Sequence, residues 1–173
     1  MISFYDDKVT FDANSSTSIA VTFDPFTPTD ENILIPPENP ITLGGITFTP
    51  LDPLTAAPNL FVATPSGIAA PDFAVPLESN VLTVSGNENI DITFYTAPTA
   101  VGFDTYTNMF DPPVVSVYDI EGVLRATYLI LPRGSFGFLG IVSNFPIGKV
   151  NWLATEGGKQ DTGIANLYVG DLL

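Results

Sequence analysis

A chain of 173 residues, 45% hydrophobic and 12% aromatic, is long and apolar enough to bury a substantial core, which excludes a disordered segment. Five basic residues stand against nineteen acidic ones, for a net charge of −14, which argues against nucleic acid and anionic membranes as partners. Cysteine and histidine are both absent, which excludes disulfides, thiolate chemistry, Cys/His zinc sites and any nucleophile–histidine pair.

The hydrophobic period is two almost throughout. Met1 leads straight into strand-like ISFY. No charged segment precedes an apolar one, and no apolar run approaches bilayer length. Neither a signal peptide nor membrane insertion is therefore expected of the chain as it stands. SIAVTF (18–23) sets Ile19, Val21 and Phe23 on one face. PITLGGITF (40–48), NLFVA (59–63) and NVLTV (80–84) follow as candidate strands. NIDITFY (89–95) puts Ile90, Ile92 and Phe94 on one side and Asp91 and Thr93 on the other. TAVGFDTY (99–106), VVSVYD (114–119), VLRATYLIL (123–131), SFGFLGIV (135–142), KVNWLAT (149–155) and IANLYVG (164–170) complete the series. In YDIEGVL (118–124), Gly122 suits the left-handed position of a hairpin turn that pairs 114–119 with 123–131. No segment combines helical spacing with a cap and a stop, so no helix is expected.

Eleven of the sixteen prolines precede residue 77. Proline lacks a donor N–H, so these stretches read as long loops and edges. The strands before them are too few to close a core of their own. The expectation is a single all-β domain over residues 1–173, a β-sandwich or barrel.

Six segments in order, NPITLGGITFTP, LFVATPSG, NIDITFYTAPTAVGFD, VSVYDIEGVL, FGFLGIVSNFPIGKVNWLAT and GIANLYVG, resemble the exported β-sandwich proteins of bacteria that often carry a PEP-CTERM sorting tail. In that group an AxGFD strand precedes a glycine hairpin, an FxGxxS segment and a closing IDNLxFG strand. The resemblance covers residues 39 to 170. It implies an antiparallel, jelly-roll-like sandwich, secreted or at the cell surface, with a role at the envelope or in extracellular polysaccharide. Two departures stand out. The chain stops at GDLL with no sorting tail, and Ala165 stands where the group usually shows aspartate. The second departure weakens any calcium site carried over from the group.

Asp104 lies in phase with Gly102 and Tyr106 and out of phase with Val101 and Phe103. It is either a strand acid facing solvent or bonded locally, or an oxygen ligand for calcium or a sugar hydroxyl, with Tyr106 and Asn108 beside it. Tyr118 and Tyr128, with Tyr95 and Tyr106, are the candidate stacking rings. Trp152 is in phase with Val150 and Ala154 and reads as core. Asp6, Asp7 and Asp12, with Asp161 or Asn166, form a candidate hard-cation set if the termini meet, although no ordered calcium-loop motif supports it. Arg125 and Arg133 are expected to pair with nearby acids. Three functions remain open: an exported, non-catalytic binder of carbohydrate or another surface polymer, an envelope or matrix assembly protein forming homo-oligomers, and a calcium-dependent enzyme using carboxylates.

Overall fold

The computed structural model describes residues 1–23, 33–34, 40–51, 60–65, 79–84, 88–107, 113–130, 135–154 and 162–173. Most of the proline-rich stretches, with Asn108, Arg133 and Asp161, lie outside these residues. In chain order the elements are β1 (Ile2–Tyr5), α1 (Lys8–Asp12), β2 (Ser15–Thr22), β3 (Ile33–Leu34), β4 (Ile41–Leu43), β5 (Ile46–Pro50), β6 (Leu60–Ala63) and β7 (Val81–Val84). They continue as β8 (Glu88–Phe94), β9 (Ala100–Thr107), β10 (Val114–Asp119), β11 (Leu124–Leu129), β12 (Ser135–Ser143), β13 (Ile147–Ala154) and β14 (Thr162–Leu172).

Two antiparallel sheets form an open sandwich that is not closed into a barrel, as the period-two pattern predicts. The eight-stranded sheet runs β1-β12-β9-β14-β7-β6-β3. Its long strand β14 meets β7 near Ile164 and β2 from Asn166 onward, so the N-terminal and C-terminal segments do meet. The six-stranded sheet runs β11-β10-β13-β8-β5-β4.

Between the sheets lies one large apolar cluster, to which Ile90, Ile92, Val101, Phe103, Val150 and Trp152 belong. Phe103 of one sheet meets Trp152 of the other edge to face, with centroids 5.6 Å apart. Both rings are fully buried. Burying a side chain of this size stabilises the fold by about 1.5–3 kcal/mol, so the pair is a principal tie between the layers.

Three local expectations need correction. PITLGGITF is a hairpin and not one strand: Gly44 and Gly45 take φ of 55° and 75° and join β4 to β5 as a two-residue turn. Ile19 does not share the face of Val21 and Phe23 but is 58% exposed. A bulge pairs Val21 with Leu167 and then Ile19 with Tyr168, which turns Ile19 outward. A helix is also present: Asp7 caps α1 by accepting from Thr10 N–H at 2.8 Å. That bond holds the Asp7 carboxyl below the usual carboxylate range. Five residues are too few for a periodic signal; what anchors the turn is Phe11, fully buried on the outer face of the eight-stranded sheet.

Phe11 fits there because Gly102 and Gly140 are directly paired across β9 and β12. Together they leave a bare patch of backbone beneath its ring. A Cβ on Gly102 would lie 2.9 Å from Phe11 Cε1, and one on Gly140 would lie 2.7 Å from Cγ. The glycines of GFD and FGFLG thus seat an aromatic lid.

Candidate functional site

Asp104 stands on the outer face of β9, one step along from that lid. Its partners come from β14. Register passes from Ile164 opposite Thr105 to Asn166 opposite Asp104, leaving Ala165 as an extra residue. The bulge swings Asn166 to the outer face and returns Leu167 to the core, and Tyr168 then points outward with Asn166. Asn166 Nδ2 donates to Asp104 Oδ2 at 2.7 Å, and the Tyr168 hydroxyl donates to the same oxygen at 2.8 Å. Both are charge-assisted bonds, stronger than neutral ones. No described residue donates to Asp104 Oδ1.

Tyr168 is held from several sides. Lys8 Nζ lies 4.4 Å from its ring centroid, and Phe138 packs edge-on at 6.0 Å. Lys8 is itself paired with Asp12 at 2.7 Å. Burial, and then the Asp104 carboxylate, push the Tyr168 hydroxyl well above its usual range. It therefore remains a protonated donor across physiological pH.

Beside this pair opens a hollow of about 370 Å³, lined by Ser79, Asp104, Phe136, Gly137, Ala165 and Asn166. It is a shallow depression, open to solvent over most of its extent. Phe136 forms an apolar wall, and its ring meets Tyr106 at 5.6 Å. The lining offers a carboxylate oxygen, an amide, a hydroxyl and an aromatic surface. Among the described residues, Asp104 is the one carboxylate that lines it.

The remaining expected site residues scatter. Tyr106 is not an exposed ring: it is fully buried, in an apolar cluster with Phe61, Ala63, Val81 and Ala165. Ala165, the departure from the aspartate pattern, is thus an apolar packing residue at a bulge. Tyr128 turns inward and stacks on Phe4 at 4.6 Å, because Tyr128 pairs with core-facing Val115. Tyr118 faces outward, but Lys149 Nζ lies over its ring at 4.4 Å and is tied to Asp91 at 2.9 Å. Tyr95 is exposed. Asn108 lies outside the described residues.

Among the described residues, the members of the hard-cation set are held apart by other partners. Asp7 caps α1, Asp12 pairs with Lys8, and Asn166 bonds Asp104. Asp6 lines a separate cavity of about 40 Å³ with Tyr128 and Ile130. Asp161 lies outside the described residues, among which no three carboxylates converge. Arg125 does pair with a local acid, Asp119, which also accepts from the N–H groups of Glu121 and Val123.

The residues missed from the sequence were Tyr168 and Phe136. Asn166 and Tyr168 share a face by simple alternation, and that was the available signal. What was lacking was the register that sets β14 beside β9. No family model, curated protein or solved structure matches the chain.

Proposed function

We infer that the protein is a non-catalytic, extracellular β-sandwich that binds a neutral polysaccharide through the Asp104 hollow. The observation that carries this reading is a carboxylate fixed by two donors on one oxygen, beside an apolar ring wall. A sugar presents that mixture in reverse: hydroxyls that donate to an acceptor, and a C–H face that packs on an aromatic ring. A net charge of −14 disfavours anionic polymers, and the match of hydroxyls and C–H faces to the hollow favours a neutral chain. The resemblance to PEP-CTERM-associated sandwiches supports the extracellular setting.

The test is a glycan array followed by calorimetry, with and without calcium. Saccharide binding should weaken at least about tenfold in Asp104→Asn and in Phe136→Ala, with the fold retained by circular dichroism. Absence of saccharide binding under both conditions, or binding that both variants leave unchanged, would overturn the reading. A requirement for calcium would move the ligand contacts to a metal.

A further inference from the structure

The outer edge of the six-stranded sheet carries a second surface, unrelated to the hollow. Strand β11 ends that sheet, and among the described residues only β10 pairs with it. Ile130 N–H donates to Pro113 O at 2.9 Å, so the even-numbered residues face β10. By the antiparallel alternation, the N–H and C=O groups of Thr127 and Leu129 point away from the sheet. Two of the usual edge protections, a charge and a bulge, fall together at Arg125, and the stretch from Ala126 to Ile130 carries neither. That charge is drawn to Asp119. Apolar side chains stand open along the same hairpin: Ile120 is 62% exposed, Val123 45%, Leu124 52% and Leu129 51%.

We propose that β11 is a self-association edge, at which a second copy of this chain pairs antiparallel about a twofold axis. Charge selects the occupant. Between Glu121 and Glu156 the chain contains no acid: sixteen of its nineteen acids lie at or before residue 121, and the other three are Glu156, Asp161 and Asp171. Two copies carrying −14 each repel wherever their acids meet. Among the described residues, a β11 joint brings together Ala126, Thr127, Tyr128, Leu129 and Ile130 from each copy. The other sheet ends suit this poorly: β1 runs directly into Asp6 and Asp7, β2 lies between Asp12 and Asp24 in the chain and pairs with Asp171 of β14, and β3 and β4 span two and three residues.

Register follows from the bulge. Val117 pairs with Ala126 but Tyr118 with Leu124, so the straight part of the edge begins at Ala126. Pairing centred on Tyr128 sets Thr127 opposite Leu129 of the second copy and exchanges their free backbone groups. Inward and outward side chains stay on their own faces. The two six-stranded sheets then join into one continuous sheet, and the joint closes as a dimer because it is isologous.

Sedimentation equilibrium on the full chain tests this. The apparent mass should rise with concentration toward twice that of one chain. It should rise further on adding salt, because screening weakens repulsion between the acidic copies. Leu129→Lys, at a half-exposed position, should return the protein to a monomer with its melting temperature unchanged. Thr127→Pro should do the same, since its N–H takes no part in the β10 ladder. A monomer at every concentration and salt level, a dimer that survives Leu129→Lys, or growth beyond two copies would each overturn the proposal. Saccharide binding by Leu129→Lys separates this edge from the hollow.

Discussion

Gly140→Ala tests whether the aromatic lid is seated by the glycine pair. An added Cβ would sit 2.7 Å from Phe11 Cγ and closer still to Cδ2, against an optimal carbon–carbon separation of about 3.5–4.0 Å. Phe11 must therefore retreat by roughly 1 Å. It cannot retreat freely, because Phe138 and Tyr5 hold its ring at 5.3 and 6.3 Å. Overpacking of this kind costs about 1–3 kcal/mol. For a chain of this length that lowers the melting temperature by roughly 2–12 °C. Urea and thermal unfolding can be followed by Trp152, the single tryptophan, buried on the far side of the sheet. Phe11→Ala alone should cost about 3–5 kcal/mol by leaving a cavity. In the double variant the methyl occupies space that the ring has vacated. The two costs should then fail to add by about 1–3 kcal/mol. A Gly140→Ala protein as stable as the parent, or strictly additive costs, would refute the reasoning.

Two further outcomes follow from single bonds. The N–H of Val123, and then Arg125, hold the Asp119 carboxyl below the usual range. Its stabilising contribution is complete above the unfolded pKa of about 3.9 and is lost as pH falls through the lower folded value. The melting-temperature gap between the parent and Asp119→Asn should therefore stay constant above about pH 5 and shrink below about pH 4. A gap that widens in acid would reverse the sign of this linkage. Tyr168→Phe should leave Asp104 with Asn166 as its one donor and cost about 1 kcal/mol, read from urea midpoints. A larger loss would mean that the ring seat, and not the hydroxyl, had been disturbed.

The sandwich is legible in the sequence because alternation survives wherever one strand face meets the core. Ile90, Ile92 and Phe94 against Asp91 and Thr93 illustrate this, as does Trp152 in phase with Val150. Gly122, at φ 78°, occupies the left-handed turn position expected of it. Alternation misleads where a bulge inserts a residue: Ile19 turns outward for that reason, and Asn166 reaches Asp104 for the same one. It also misleads where the outer face is covered. Tyr106 does point away from the sandwich core, as its phase requires, yet other apolar side chains bury it there. Phase gives the direction of a side chain, and only the register of distant strands tells what it meets.

That distinction bears on Asp104. Its phase places it on the outer face, where a strand acid would ordinarily be solvated. Here the face is occupied on both sides, by Phe11 over the glycine pair and by the Tyr106–Phe136 cluster. An acid between two apolar clusters must be compensated, and a bulge in β14 delivers an amide and a phenol to do so. Both donors choose one oxygen, although satisfying the carboxylate alone would favour sharing them between two. Asp104 and Phe136 line one hollow, and the two bonds hold the carboxylate in a single orientation there. In the proposed carbohydrate reading that asymmetry has a use, because the geometry of the acceptor is set before the ligand arrives.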